Sequence, residues 1–113
     1  MEENTLDAES NLGKRLKHIR IAEKRFLLFH GKKIPLVAKI TIGREKANNI
    51  VIDDSMASRY HAVIHKIKDA YFIQDLKSTN GTQVNNIMVP KGKYIKLNPG
   101  DIIHIGRTDF SFI

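Results

Sequence analysis

From Phe26 onward the chain alternates short apolar runs with clusters of Gly, Asn, Asp, Ser and Pro, and no segment there reads as a helix of convincing length. FLLF (26–29) and IPLV (34–37) flank His30-Gly31-Lys32-Lys33, a pattern of strand, turn and strand. Pro35 has no N–H for a ladder, so it belongs on an edge or among a strand's first residues. Further strands are predicted at AKITI (38–42), NIVI (49–52), HAVIHKI (61–67), AYFIQDL (70–76), TQVN (82–85), KYIKL (93–97), DIIHIG (101–106) and DFSFI (109–113). Asn98-Pro99-Gly100-Asp101 carries Pro and Gly where turn geometry favours them. Many short strands at this spacing predict an all-β sandwich or barrel. Alternation in HAVIHKI puts Ala62, Ile64 and Lys66 on one face and Val63, His65 and Ile67 on the other. In DIIHIG, Ile103 and Ile105 share a face opposite Ile102 and His104.

Ahead of Phe26 two patterns overlap. Leu12, Leu16 and Ile19 fall at helical spacing, whereas Ile19 and Ile21 alternate with His18, Arg20 and Ala22 as in a strand, and the sequence leaves both open. Residues 1–13 hold few apolar groups and are expected to form a flexible acidic tail, followed by a basic lead-in over 14–23 and a folded domain over 24–113.

A chain of 113 residues suits one domain with a tail. No apolar run approaches the roughly 20 residues of a membrane-spanning helix. The start MEENTLDAES is acidic, unlike a signal peptide, and there is no cysteine, which excludes disulfides, thiol catalysis and cysteine-held metal. These features make a cytoplasmic protein the expectation. The net charge of +7 is uneven: −4 over residues 1–13, +5 over 14–25 and +6 over 26–113. A basic body favours nucleic acid, a membrane surface or phosphorylated protein, and sign alone does not choose among them.

Three polar stretches exceed what a β-sandwich needs: Gly43-Arg44-Glu45, Ser58-Arg59-Tyr60-His61 and Ser78-Thr79-Asn80-Gly81-Thr82. Each abuts a predicted strand, so all three can converge at one end of a sandwich. In order and spacing, GR, then S-R-x-H fourteen residues on, then D-L-x-S-T-N-G-T-x-V-N, resemble the forkhead-associated family. The closing L-x-x-G-D-x-I-x-I-G, Leu97 to Gly106, extends the resemblance over about residues 24–113.

The resemblance implies a β-sandwich of about eleven strands that binds phosphothreonine peptides through loops at one end, without cofactor or metal. Phosphothreonine carries roughly −1.5 to −2 charges and three strong acceptor oxygens, so its receptor needs a cation and neutral donors. By this comparison Arg44 supplies the guanidinium fork, Ser58 and Thr79 supply hydroxyls, and Arg59 adds a backbone N–H and charge. Asn80 would bond the peptide's main chain. Gly43, His61, Gly81, Thr82 and Asn85 would support the site, with Asn85 bracing the third loop. Ser78 is left without a role. Lys46, Met56 and Lys77 are candidates for reading the third residue after the phosphothreonine, the lysines favouring an acid and Met56 an apolar group. Preference for threonine over serine would rest on burying one methyl, worth about 1 kcal/mol.

Other readings are weaker. Ser58, His61 and Asp75 lack a G-x-S-x-G elbow, so an enzyme is not expected. The five histidines (His18, His30, His61, His65 and His104) show no H-E-x-x-H or comparable spacing, so no metal is expected. Asn80-Gly81-Thr82 matches a glycosylation acceptor only by coincidence. The basic run Lys14 to Arg25 reads as a solvated face rather than a nucleic-acid contact, and no membrane partner is expected. Thr5, among acids and facing a basic body, is a candidate regulatory phosphosite that could dock into the chain's own site after an upstream Ser/Thr kinase acts. The alternative to phosphopeptide recognition is a phosphate-independent scaffold that uses a sandwich face.

Overall fold

A computed structural model describes residues 24–113. The tail 1–13 with Thr5, the lead-in 14–23 with His18, and the open choice between helix and strand from Leu12 all lie outside the described residues. Within them are eleven strands and no helix: β1 (Phe26–Phe29), β2 (Lys32–Pro35), β3 (Lys39–Gly43), β4 (Ile50–Val51), β5 (Ala62–Ile67), β6 (Ala70–Asp75), β7 (Thr82–Val84), β8 (Ile87–Met88), β9 (Tyr94–Lys96), β10 (Ile102–Ile105) and β11 (Thr108–Phe112).

They form two sheets, one ordered β9-β6-β5-β3-β4 and the other β2-β1-β11-β10-β7-β8. All pairings are antiparallel except β3 with β4. The inward positions of both sheets make one core. Ile40, Ile42, Ala62, Ile64 and Ile73 from the first sheet meet Leu27, Val84, Ile103, Ile105, Phe110 and Phe112 from the second. Tyr71 meets Phe112 edge-on at 5.6 Å, and Phe29 stacks on Phe110 at 4.8 Å. The period-two pattern sets these layers, because one strand face must leave water and the other need not.

Three details depart from the sequence reading. The first turn is His30-Gly31 alone, both residues at positive φ (51° and 73°), so Lys32 and Lys33 join the strand. A two-residue turn of this kind matches the twist of the strands it joins. Asn85 and Asn86, at φ 53° and 67°, make a second such turn and expose the unexpected strand β8. Val63, assigned opposite Ala62 and Ile64, is nevertheless buried. Pro35 does lie on an edge strand, as the last residue of β2.

The register brings the candidate loops to one end. Gly43 pairs with Val51, Ala62 with Asp75, and Ile105 with Thr82. The segments after β3, before β5, between β6 and β7, and between β10 and β11 therefore leave the sandwich together.

Candidate functional site

The first two loops are joined through their backbones. Arg44 N–H donates to Ser58 C=O at 3.0 Å and Glu45 N–H to Arg59 C=O at 3.1 Å. Asn48, buried beneath them, donates its amide to the carbonyls of Glu45 (2.8 Å) and Arg59 (2.7 Å). Gly43 is required by close approach: a Cβ there would collide with the Arg59 carbonyl and come within 2.8 Å of Asn48 Nδ2. Backbone on one side and a bonded amide on the other leave little room to give. Gly43→Ala is therefore expected to cost about 2 kcal/mol or more of stability, read as a lowered denaturant midpoint.

This scaffold aims specific side-chain groups outward. Arg44 is exposed, yet its Nε–H is held by Ala57 C=O at 3.0 Å, so the guanidinium is oriented while its terminal nitrogens remain for a ligand. Ser58 Oγ accepts the Thr79 N–H at 3.0 Å, which ties the second loop to the third and turns the hydroxyl's own proton to another acceptor. Asn80 Nδ2 donates to Met56 C=O at 2.9 Å, a second tie between the same loops. Thr79, Asn80 and Arg59 are exposed beside them. Two cations, Arg44 and Arg59, and the hydroxyl-bearing Ser58 and Thr79 thus belong to a single loop cluster.

The third loop is folded around Asp75, which sequence reasoning considered only as a catalytic partner. Its Oδ2 accepts Ser78 N–H at 2.9 Å, and its Oδ1 accepts the hydroxyls of Ser78 at 2.5 Å and Thr82 at 2.7 Å. Ser78 Oγ in turn accepts Gly81 N–H at 2.9 Å, so the residue left without a role is a buried hinge of the loop. Burial works to raise the Asp75 pKa, but donation by Ser78 and Thr82 outweighs it and holds the carboxyl below its ordinary range. An acid three residues ahead of a serine, at the end of a strand, is the sequence signal for such a turn.

His61, fully buried, links the loops from below. Its Nδ1 accepts Ser58 N–H at 2.9 Å, so the ring proton sits on Nε2 and donates to Gly81 C=O at 2.9 Å. Both nitrogens are occupied by backbone groups, and neither is placed to take a proton from Ser58 Oγ. Asp75 lies 4.0 Å from Nε2. Gly81 stands at φ +89°, which a side chain rarely adopts.

Asp54 was also missed. Backbone donation from Met56 (2.9 Å), then from Arg107 (2.7 Å), with the Thr108 hydroxyl (2.8 Å), depresses its pKa and pins the β10–β11 turn under the second loop. Asn85 corrects an expectation. It bonds Asp101 Oδ1 (2.8 Å) and Ile102 N–H (2.9 Å), at the other end of β7 from the third loop, so it braces the Asn98–Asp101 turn rather than the site. Lys46 and Lys77 are exposed on the first and third loops. Met56 lines a hollow of about 300 Å³ with Asn80, Gly81, Gln83 and His104.

Comparison with known proteins agrees with this fold. A model of the FHA domain matches residues 40–106. The transcriptional regulatory protein EmbR of Mycobacterium tuberculosis is 41% identical over 83 residues, 73% of this chain and 21% of EmbR. Protein FraH of Nostoc is 40% identical over 57 residues, 50% of this chain and 20% of FraH. The chain thus spans about a fifth of the length of these two relatives. Among solved structures, Mycobacterium tuberculosis EmbR in complex with a low-affinity phosphopeptide superposes with a TM-score of 0.75 at 30% identity, covering 94% of this chain and 30% of that one. A structure from a study of phosphothreonine-dependent FHA domain interactions gives 0.73 at 29% identity, covering 80% and 95%.

Proposed function

Because the chain belongs to the FHA domain family, we propose that it recognises phosphothreonine peptides and recruits partners marked by Ser/Thr kinases. The observation that carries this reading is the oriented Arg44 fork beside the Ser58 and Thr79 hydroxyls. On this reading Arg44 and Ser58 take phosphate oxygens, Thr79 adds a hydroxyl, and Arg59 adds positive charge. Asn80 keeps one amide N–H on Met56 and offers its remaining groups to the peptide main chain. Lys46, Met56 and Lys77 flank the cluster as candidates for reading neighbouring peptide residues. The proposed setting is the cytoplasm, with phosphothreonine proteins as partners and the chain's own Thr5 segment among the candidates. Among the described residues no helix is long and apolar enough to cross a membrane.

Calorimetric titration with matched phosphothreonine, phosphoserine and unmodified peptides tests the reading. The phosphothreonine peptide is expected to bind. The phosphoserine form should bind about fivefold more weakly for the one buried methyl, and the unmodified form should not bind measurably. Equal affinity for all three would replace this reading with the phosphate-independent scaffold.

A further inference from the structure

We infer that the outer face of the five-stranded sheet is a second binding surface, a platform for single-stranded nucleic acid. The register places Lys39, His65, Phe72 and Lys96 in one row across β3, β5, β6 and β9, directly paired and so on the same side. Their neighbours on the core side, Ile40, Ile64 and Ile73, are buried, which fixes this row as outward. The lysines at its two ends stand three strand spacings apart, roughly 14 Å. The adjacent row holds Thr41, Val63, Gln74 and Tyr94. Neither row contains an acid.

Between the lysines lies an aromatic surface. The rings of Tyr94 and His65 stack at 5.1 Å with planes 22° apart, and Tyr94 is half exposed. Gln74 holds the arrangement through His65 Nε2 (3.3 Å) and Gly92 C=O (3.4 Å). Phe72, half-buried, continues the surface toward Ile67 and Lys68 at the rim of a hollow of about 670 Å³. Flat rings flanked by cations suit unpaired bases, which stack on ring faces while lysines meet the phosphates. A duplex hides its base faces, and a second copy of this face would set lysines against lysines. The opposite sheet differs: its corresponding outward row carries the His104–Asp109 pair at 2.6 Å, an acid exposed where the first sheet has lysine. The platform is also separate from the loop cluster, with His65 about 13 Å along β5 from His61.

The test is fluorescence anisotropy with the full 113-residue chain and a labelled single-stranded DNA of about 12 nucleotides at about 50 mM salt. The single strand is expected to bind at least about tenfold more tightly than a duplex of the same sequence. Lys39→Glu with Lys96→Glu should weaken binding about tenfold or more and flatten the slope of log affinity against log salt by about 1.4. Tyr94→Ala, which leaves the charge alone, should weaken it about fivefold or more. Melting temperature checks that the variants fold, and phosphothreonine-peptide affinity should stay within about twofold because the loops are untouched. No binding, binding that survives both changes, or equal binding of heparin with no effect of Tyr94→Ala would overturn the inference. Loss of peptide binding in a folded platform variant would deny the separation of the two surfaces.

Discussion

Arg44→Ala is expected to lower the affinity for a phosphothreonine peptide at least about tenfold, which calorimetry at physiological salt would read. A hydrogen bond to a charged group contributes roughly 1.5–3 kcal/mol, and about 1.4 kcal/mol is a factor of ten. The arginine is exposed, so water and salt screen its attraction, and a single bond's worth is the safe expectation. Its Nε bond to Ala57 raises the effect, since a fork already held loses less entropy when it meets a phosphate. Arg44→Lys separates charge from shape. It keeps the cation but loses the planar fork and the anchor, so it should recover only part of the lost affinity. The melting temperature should change only modestly, because the alanine variant gives up one partly buried hydrogen bond from an exposed side chain. An Arg44→Ala protein that binds as tightly as the parent would remove Arg44 from the site.

Asp75→Ala is expected to cost about 3 kcal/mol or more of stability and to abolish peptide binding in whatever fraction stays folded. Three donors, the Ser78 N–H and the hydroxyls of Ser78 and Thr82, would be left in a buried space without their acceptor. Each such group costs roughly 1–3 kcal/mol. Asp75→Asn preserves size but turns an amide N–H toward one of those donors, so it too should destabilise, though less. The same carboxyl gives a pH signature. Its folded pKa is depressed below the ordinary 3.8, so its contribution is complete above that value. The contribution is lost as pH falls through the folded pKa. Denaturant unfolding from pH 6 to pH 2 should show the parent losing stability below about pH 4 and Asp75→Ala losing distinctly less. Asp54, also depressed, adds a second acid-sensitive step at the β10–β11 turn, so some loss should persist in the variant. Parallel curves for the two proteins would show that Asp75 carries no such linkage.

The apolar pattern by itself determined the class of fold. Alternation in DIIHIG and KITI, broken by Gly, Asn and Pro, admits no helix after Phe26, and Ile103, Ile105, Ile40 and Ile42 are in the core as that pattern requires. Ile87–Met88 escaped because two residues are too short to show a period, and Val63 because a sheet's outer face can also be covered by large neighbours.

The site was legible to the extent that its residue types are demanding. Phosphate calls for an arginine and hydroxyls, and Arg44, Ser58 and Thr79 stand in loops that the structure brings together. Gly43, His61, Gly81 and Thr82 were named as supports through the family resemblance, but the buried acceptor at their centre was not, because donors three and seven residues away leave no period along the chain. Asp75 was weighed only as a catalytic partner, Ser78 was left without a role, and Asn85 looked like a brace for the loop on its N-terminal side. Its bonds run to Asp101 and Ile102, sixteen and seventeen residues further on.

Sequence by itself nominated which residues could bind and marked most of the turns, since both follow from side-chain chemistry and backbone freedom. Only the tertiary structure decided that Arg44 Nε is occupied, that Ser58 has a proton to give, and that Lys39, His65, Phe72 and Lys96 form one row. Each of these depends on strand register, and register is set by pairings between segments far apart in the chain.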